Sequence, residues 1–307
     1  HGGFNSMLLE VENSYIWINT ENGTGTGDIL LTARSTNAQA QIGHGGARTD
    51  GLAGFANKYG DILIGAARDI TLTSGTATDA YTQIGHGGEG GSTSSGAKAV
   101  VAGAITVTAT GKIAMTGGSA SDAYAQIGHG GDQGRYDVSG NITVEAGGEL
   151  TLTGGTTVRD VYAQIGHGGG SSTGDVTNAD IEVTVGGAVT MTSGSVEAAY
   201  TQIGHGGLTA NGDTQGNITV QSGGKISLLG GTNLDTYSQI GHGGHVNSNN
   251  HGAATDRIVV VAASGIDLIG GTTTNGAHYG AYAQIGNGGY EANGILLGDI
   301  YLNYDPD

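Results

Sequence analysis

The hexapeptide Gln-Ile-Gly-His-Gly-Gly occurs six times, starting at Gln41, Gln83, Gln126, Gln164, Gln202 and Gln239, and a seventh copy at Gln284 carries Asn287 in place of His. Successive copies start 37 to 45 residues apart, so one unit recurs along the chain while its filler varies. Self-similarity at such a period marks stacked units, each too small to bury its apolar face without neighbours. Repeats end near residues 46, 88, 131, 169, 207, 244 and 289, residues 290–307 begin another, and 1–307 reads as a single β-solenoid segment. His1-Gly2-Gly3 matches the tail of a preceding copy, so a longer array is expected.

Two further blocks precede each hexapeptide, as in Asn141-Ile142-Thr143-Val144-Glu145 and Glu149-Leu150-Thr151-Leu152-Thr153, followed by Tyr162-Ala163-Gln164-Ile165. Each alternates apolar and polar residues, which is the period of a strand and not of a helix. Gly147-Gly148, Gly154-Gly155 and Gly168-Gly169 separate the blocks, and glycine tolerates the sharp corners a closed rung needs. Three strands and three corners predict a triangular parallel β-helix, all-β, with one repeat per rung in preference to two shorter coils. Seven rungs about 4.8 Å apart would make a rod of roughly 34 Å. Polar stretches after His-Gly-Gly (Glu89 to Gly96, Asp132 to Gly140, His245 to Asp256) read as loops bulging from one corner.

Composition agrees with a thin core. Of 307 residues 63 are Gly, aromatics are 5% and there is no Cys, so small and β-branched side chains must fill the interior. Charged residues are only 12%, which argues against disorder. A net charge of −17 repels a phosphate backbone or an anionic membrane surface and disfavours nucleic acid as a partner. No apolar run approaches the roughly 18 residues of a membrane span, and no signal segment opens the sequence, so no membrane insertion is expected and an export signal is expected outside this piece.

Blocks such as Gly216-Asn217-Ile218-Thr219-Val220-Gln221-Ser222-Gly223-Gly224-Lys225-Ile226-Ser227-Leu228 resemble the filamentous-haemagglutinin-like exoproteins and giant β-strand-repeat adhesins of Gram-negative bacteria, over nearly the whole chain. The resemblance implies a right-handed parallel β-helix, secretion by a partner transporter, and a role in adhesion, aggregation or biofilm formation.

Three sets of residues are candidate sites. A histidine ladder, His44, His86, His129, His167, His205 and His242, would place imidazoles one rung apart and could ligate a transition metal. The bland reading is that each imidazole hydrogen-bonds within a Gly-lined corner, as the Asn at 287 can also do. If the small residue after each Tyr points inward with the Ile, Tyr81, Tyr124, Tyr162, Tyr200, Tyr237 and Tyr282 form an outward stripe beside Gln83, Gln126, Gln164, Gln202, Gln239 and Gln284. Such a stripe would suit lateral packing or sugar rings, although it could equally serve only to stabilise the stack. Calcium could bind the Asp- and Asn-containing loops, but the in-register Gly-Gly-x-Gly-x-Asp pattern is missing.

No catalytic constellation stands apart from the repeat, so no enzyme and no obligate cofactor are expected. The expected function is a structural segment of an extracellular, cell-surface fibre or adhesin, acting by self-association or as part of a longer array. The alternative is a glycan-binding or metal-binding module, with cell-surface glycans as partners.

Overall fold

The computed structural model describes residues 16–19, 27–47, 57–90, 98–272 and 280–303. His1-Gly2-Gly3 and the greater part of the loop from Glu89 to Gly96 lie outside the described residues.

The chain is a parallel β-solenoid. Ile142–Ala146, Leu150–Thr153 and Ala163–Ile165 are the three sides of one rung, and each pairs in parallel with its equivalents in the rungs before and after. The first sheet runs from Ile16–Asn19 to Asp299–Leu302 in eight strands, the second from Ile29–Thr32 to Ile266–Ile269 in seven, and the third from Ala40–Ile42 to Ala283–Ile285 in seven. Pairing joins each residue to its equivalent one repeat later, as in Ile113 with Leu150 and Ile127 with Ile165, so each repeat makes one rung.

Alternation decides which side chains fill the rod. Ile142 and Val144, Leu150 and Leu152, and Ala163 and Ile165 point into one core shared by the three sheets. Burying each branched side chain there stabilises the fold by about 1.5–3 kcal/mol. Thr143 and Thr151, at the intervening positions of the first and second strands, remain half exposed.

The expectation of an irregular corner loop needs correction. Lys58–Tyr59, Ala99–Ala102, Tyr136–Ser139 and Val176–Thr177 stack as a fourth, four-stranded parallel sheet just before the first strand of their rungs. Ala99, Val101, Tyr136, Val138 and Val176 form a small apolar cluster of their own. Four residues flanked by Gly and polar side chains carry too short an alternation to be distinguished from a loop; stacking between neighbouring rungs makes them strands.

Candidate functional site

The third strand of each rung is buried on both faces. Ala125 and Ile127 face the main core, while Tyr124 and Gln126 project from the opposite face, as their alternation requires. That face is not solvent-exposed. Tyr81, Tyr124, Tyr162, Tyr200 and Tyr237 are 0% exposed, and so are Gln83, Gln126, Gln164, Gln202 and Gln239. Tyr282 and Gln284, in the last complete rung, are half-buried. The expected outward contact stripe is therefore an inner ladder, because the chain that leaves each His-Gly-Gly corner folds back over the third sheet.

The phenol rings stack in register from Tyr81 to Tyr282, with centroids 4.6 to 5.0 Å apart and planes within 9° of parallel. Their spacing is the rung repeat itself. None of the six hydroxyls has a well-aligned hydrogen-bond partner. The main-chain N–H groups of Gly170 and Leu208 face the oxygens of Tyr162 and Tyr200 without the alignment of a hydrogen bond. Burial pushes these phenols well above their ordinary range, so they stay neutral.

The glutamines hold successive rungs together. Gln126 Nε2 donates to the carbonyls of Gly166 and Gly168 in the next rung, at 2.9 and 2.6 Å, using both its N–H groups. Gln83, Gln164, Gln202 and Gln239 make the same pair of bonds one rung on. The cradle requires glycine. Gly168 adopts φ +85°, and a Cβ on Gly166 would lie 1.9 Å from the Gly204 carbonyl oxygen of the neighbouring rung.

The imidazoles of His44 through His242 stack with centroids 4.8 to 4.9 Å apart. From His86 to His242 each ring has two main-chain partners. The N–H of His86 donates to Nδ1 of His129, that of His129 to Nδ1 of His167, and that of His167 to Nδ1 of His205. Nε2 of His86, His129, His167, His205 and His242 meets the carbonyl of Gly60, Gly103, Gly140, Ala179 and Gly216 at 2.6 to 2.9 Å. A carbonyl can only accept, so these rings are the neutral Nε2–H tautomer.

Burial, with neighbouring imidazoles as the next cause, pushes His86 and His129 down to about 3; burial likewise takes His167 down to about 4 and lowers His205 and His242. A metal needs a free lone pair on neutral imidazole, and in these rings Nδ1 is engaged by a main-chain N–H while Nε2 carries the proton. The metal-ladder expectation is thus corrected by the hydrogen bonds of the corner. Asn287 preserves half of the pattern: its Oδ1 accepts from the N–H of His242, but its amide donates forward to the Leu297 carbonyl.

Among the described residues no three His, Asp or Glu side chains are grouped so as to hold a metal ion. Asp132, in the segment after a His-Gly-Gly corner, is almost fully buried, where Oδ1 accepts from the Ser171 N–H and Oδ2 from the Gln133 amide. Exposed Asp and Asn side chains act as rung caps, Asp137 accepting from the N–H of Asp175 and Asp175 from that of Asp213. Sequence reasoning missed this role, whose signal is an Asp or Asn at one register position in successive repeats. No protein-family model, curated protein or solved structure matches this chain.

Proposed function

We propose that this chain is a rigid structural segment of an extracellular bacterial surface fibre or adhesin. The observation that carries the reading is where the repeated side chains are spent. The Tyr, Gln and His ladders, which a binding module would present to a ligand, lie inside the rod and bond or stack rung to rung. A repeat so committed resists bending and shear along its whole length, while the corner segments outside it are free to vary. The acidic surface favours solubility and separation from anionic membranes.

The test is immunogold electron microscopy of intact cells that make the protein. Surface label lying along fibres and removed by external protease is the expected result. Antigen confined to the cell interior would overturn the surface assignment, and surface label with no fibre beneath it would overturn the fibre.

A further inference from the structure

The outer face of the second sheet differs in charge from the rest of the rod. Its outward positions run Thr71 and Thr73, Ala114 and Thr116, Thr151 and Thr153 in three successive rungs, all small and uncharged. Within two residues of its seven strands stand four acids (Asp28, Asp69, Glu149, Asp267) and four bases (Arg34, Arg68, Lys112, Lys225), so this side sums to zero in a chain of net charge −17. The first sheet, by contrast, turns Glu145 and Glu182 outward, both exposed. Two copies of so acidic a chain repel one another over most of their surface, and this face is free of that repulsion.

The charges are also ordered. The residue just before each strand of this sheet is, rung by rung, Asp28, Asp69, Lys112, Glu149, Ala188 and Lys225, stacked in one column. Turned end for end, the column is its own complement. When two rods lie face to face and antiparallel, Lys112 meets the partner's Glu149, Asp28 meets the partner's Lys225, and Asp69 meets the partner's Ala188. Every charged pair is opposite in sign, and the twofold makes each occur twice. A slide of one rung sets Lys112 against the partner's Lys112 and Asp69 against the partner's Glu149; the opposite slide sets Glu149 against the partner's Glu149. Rods running the same way bring the column against the glycine corners at the far ends of the strands, where Gly118 and Gly155 offer no charge. Asp28 is already paired with Arg68, and Lys225 with Asp267. Among the described residues Lys112 and Glu149 have no ion pair within their own copy, and both are exposed.

We infer that the outer face of the second sheet docks a second copy of the chain side by side, face to face and antiparallel, in the register that sets Lys112 against the partner's Glu149. Six rungs of four-residue strands cover roughly 29 by 13 Å, about half the area a standard interface takes from each partner, so the contact is weak and reversible. The inference goes beyond the proposed function: it names a lateral partner and depends on the solenoid alone, not on its location.

The experiment is sedimentation velocity of the whole chain over a range of concentrations at low salt, where exposed charges act most strongly. A dimer whose share grows with concentration is expected. Lys112→Glu and Glu149→Lys, each alone, bring like charges together at two symmetric contacts and should raise the dimer dissociation constant about tenfold or more. The double variant Lys112→Glu, Glu149→Lys restores opposite charges and should return it to within about threefold of the parent. Both positions are exposed, so unchanged circular dichroism and melting separate this effect from a loss of fold. The chain has no Cys, so register is read by mixing a Thr71→Cys copy with a Thr190→Cys copy. A short bis-maleimide should join the two kinds of copy and neither kind to itself, because like positions lie three rungs, roughly 14 Å, out of line. Single copies at every concentration, or a double variant as weak as either single one, would overturn the inference. A dimer in which Thr71→Cys links to itself would overturn the antiparallel register. None of these outcomes bears on the surface assignment, which labelling of cells decides.

Discussion

His167 closes its own rung and joins it to the one before: its Nε2–H donates to the Gly140 carbonyl 27 residues earlier at 2.8 Å, while its Nδ1 accepts from the N–H of His129 at 2.9 Å. Four of the other five ladder histidines close their rungs over a separation of 26 residues, and His86 is among them. Repeat length, by contrast, varies from 37 to 45 residues. In the interior rungs the clasp encloses the three strands and leaves most of the variable segment outside it. Insertions there do not disturb the stack.

Protonation breaks this clasp, which sets a pH dependence. An unfolded His takes a proton near pH 6.5, whereas His129 and His167 are pushed down to about 3 and about 4 in the fold. Their stabilisation is complete above about pH 6.5 and is lost as pH falls toward 4, because the unfolded chain binds protons the fold excludes. By pH 5 the loss is roughly 2 kcal/mol for each fully buried ring. Melting temperature measured from pH 7.5 to 4.5 should fall steeply below 6.5; a flat profile would contradict the neutral ladder.

Substitution at His167 separates its two bonds. His167→Asn keeps an inter-rung acceptor, as Asn287 does, and loses the reach to Gly140, a cost of about 1–2 kcal/mol. His167→Ala leaves both main-chain groups unpartnered and should cost about twice that. Chemical denaturation ranks the three proteins. Excess zinc should move none of the midpoints, and a zinc-dependent rise in the parent alone would restore the metal reading.

Gln164 is buried with both N–H groups bonded to the Gly204 and Gly206 carbonyls. Gln164→Ala strands those two carbonyls and should lower stability by about 2–4 kcal/mol. Gln164→Glu adds a buried charge facing carbonyl oxygens and should be worse at neutral pH, with partial recovery on acidification. Equilibrium unfolding of both variants at two pH values checks the order.

Tyr162 contributes its ring far more than its hydroxyl. The oxygen has no aligned partner, so Tyr162→Phe should change stability by less than about 1 kcal/mol. Tyr162→Ala removes a stacked ring between Tyr124 and Tyr200 and should cost about 3–5 kcal/mol. A large loss in the Phe variant, read by thermal melting, would show that the hydroxyl is partnered after all.

Gly168→Ala tests the corner. At φ +85° an L side chain is strained, and a loss of about 1–2 kcal/mol is expected even though the nearest neighbouring backbone atom would lie 3.4 Å from the new Cβ. Gly166→Ala meets the Gly204 oxygen directly and should be the more damaging of the two in the same unfolding assay.

The amino-acid sequence by itself determined the repeat. Recurrence of Gln-Ile-Gly-His-Gly-Gly every 37 to 45 residues sets the unit, and alternation in Ile142/Val144, Leu150/Leu152 and Ala163/Ile165 sets which side chains share a face, because a strand has no other period. It also assigned Tyr124 and Gln126 to the face opposite the core. Parallel pairing of each strand with its equivalent one repeat later is what makes each unit one rung and not two shorter coils. Only the tertiary structure decided that this face is covered, that residues 136–139 form a strand, and that His129 bonds to Gly103. Each depends on segments far apart in the chain, or on neighbouring rungs, meeting at a corner, and a period carried within a single strand holds no information about what lies across from it.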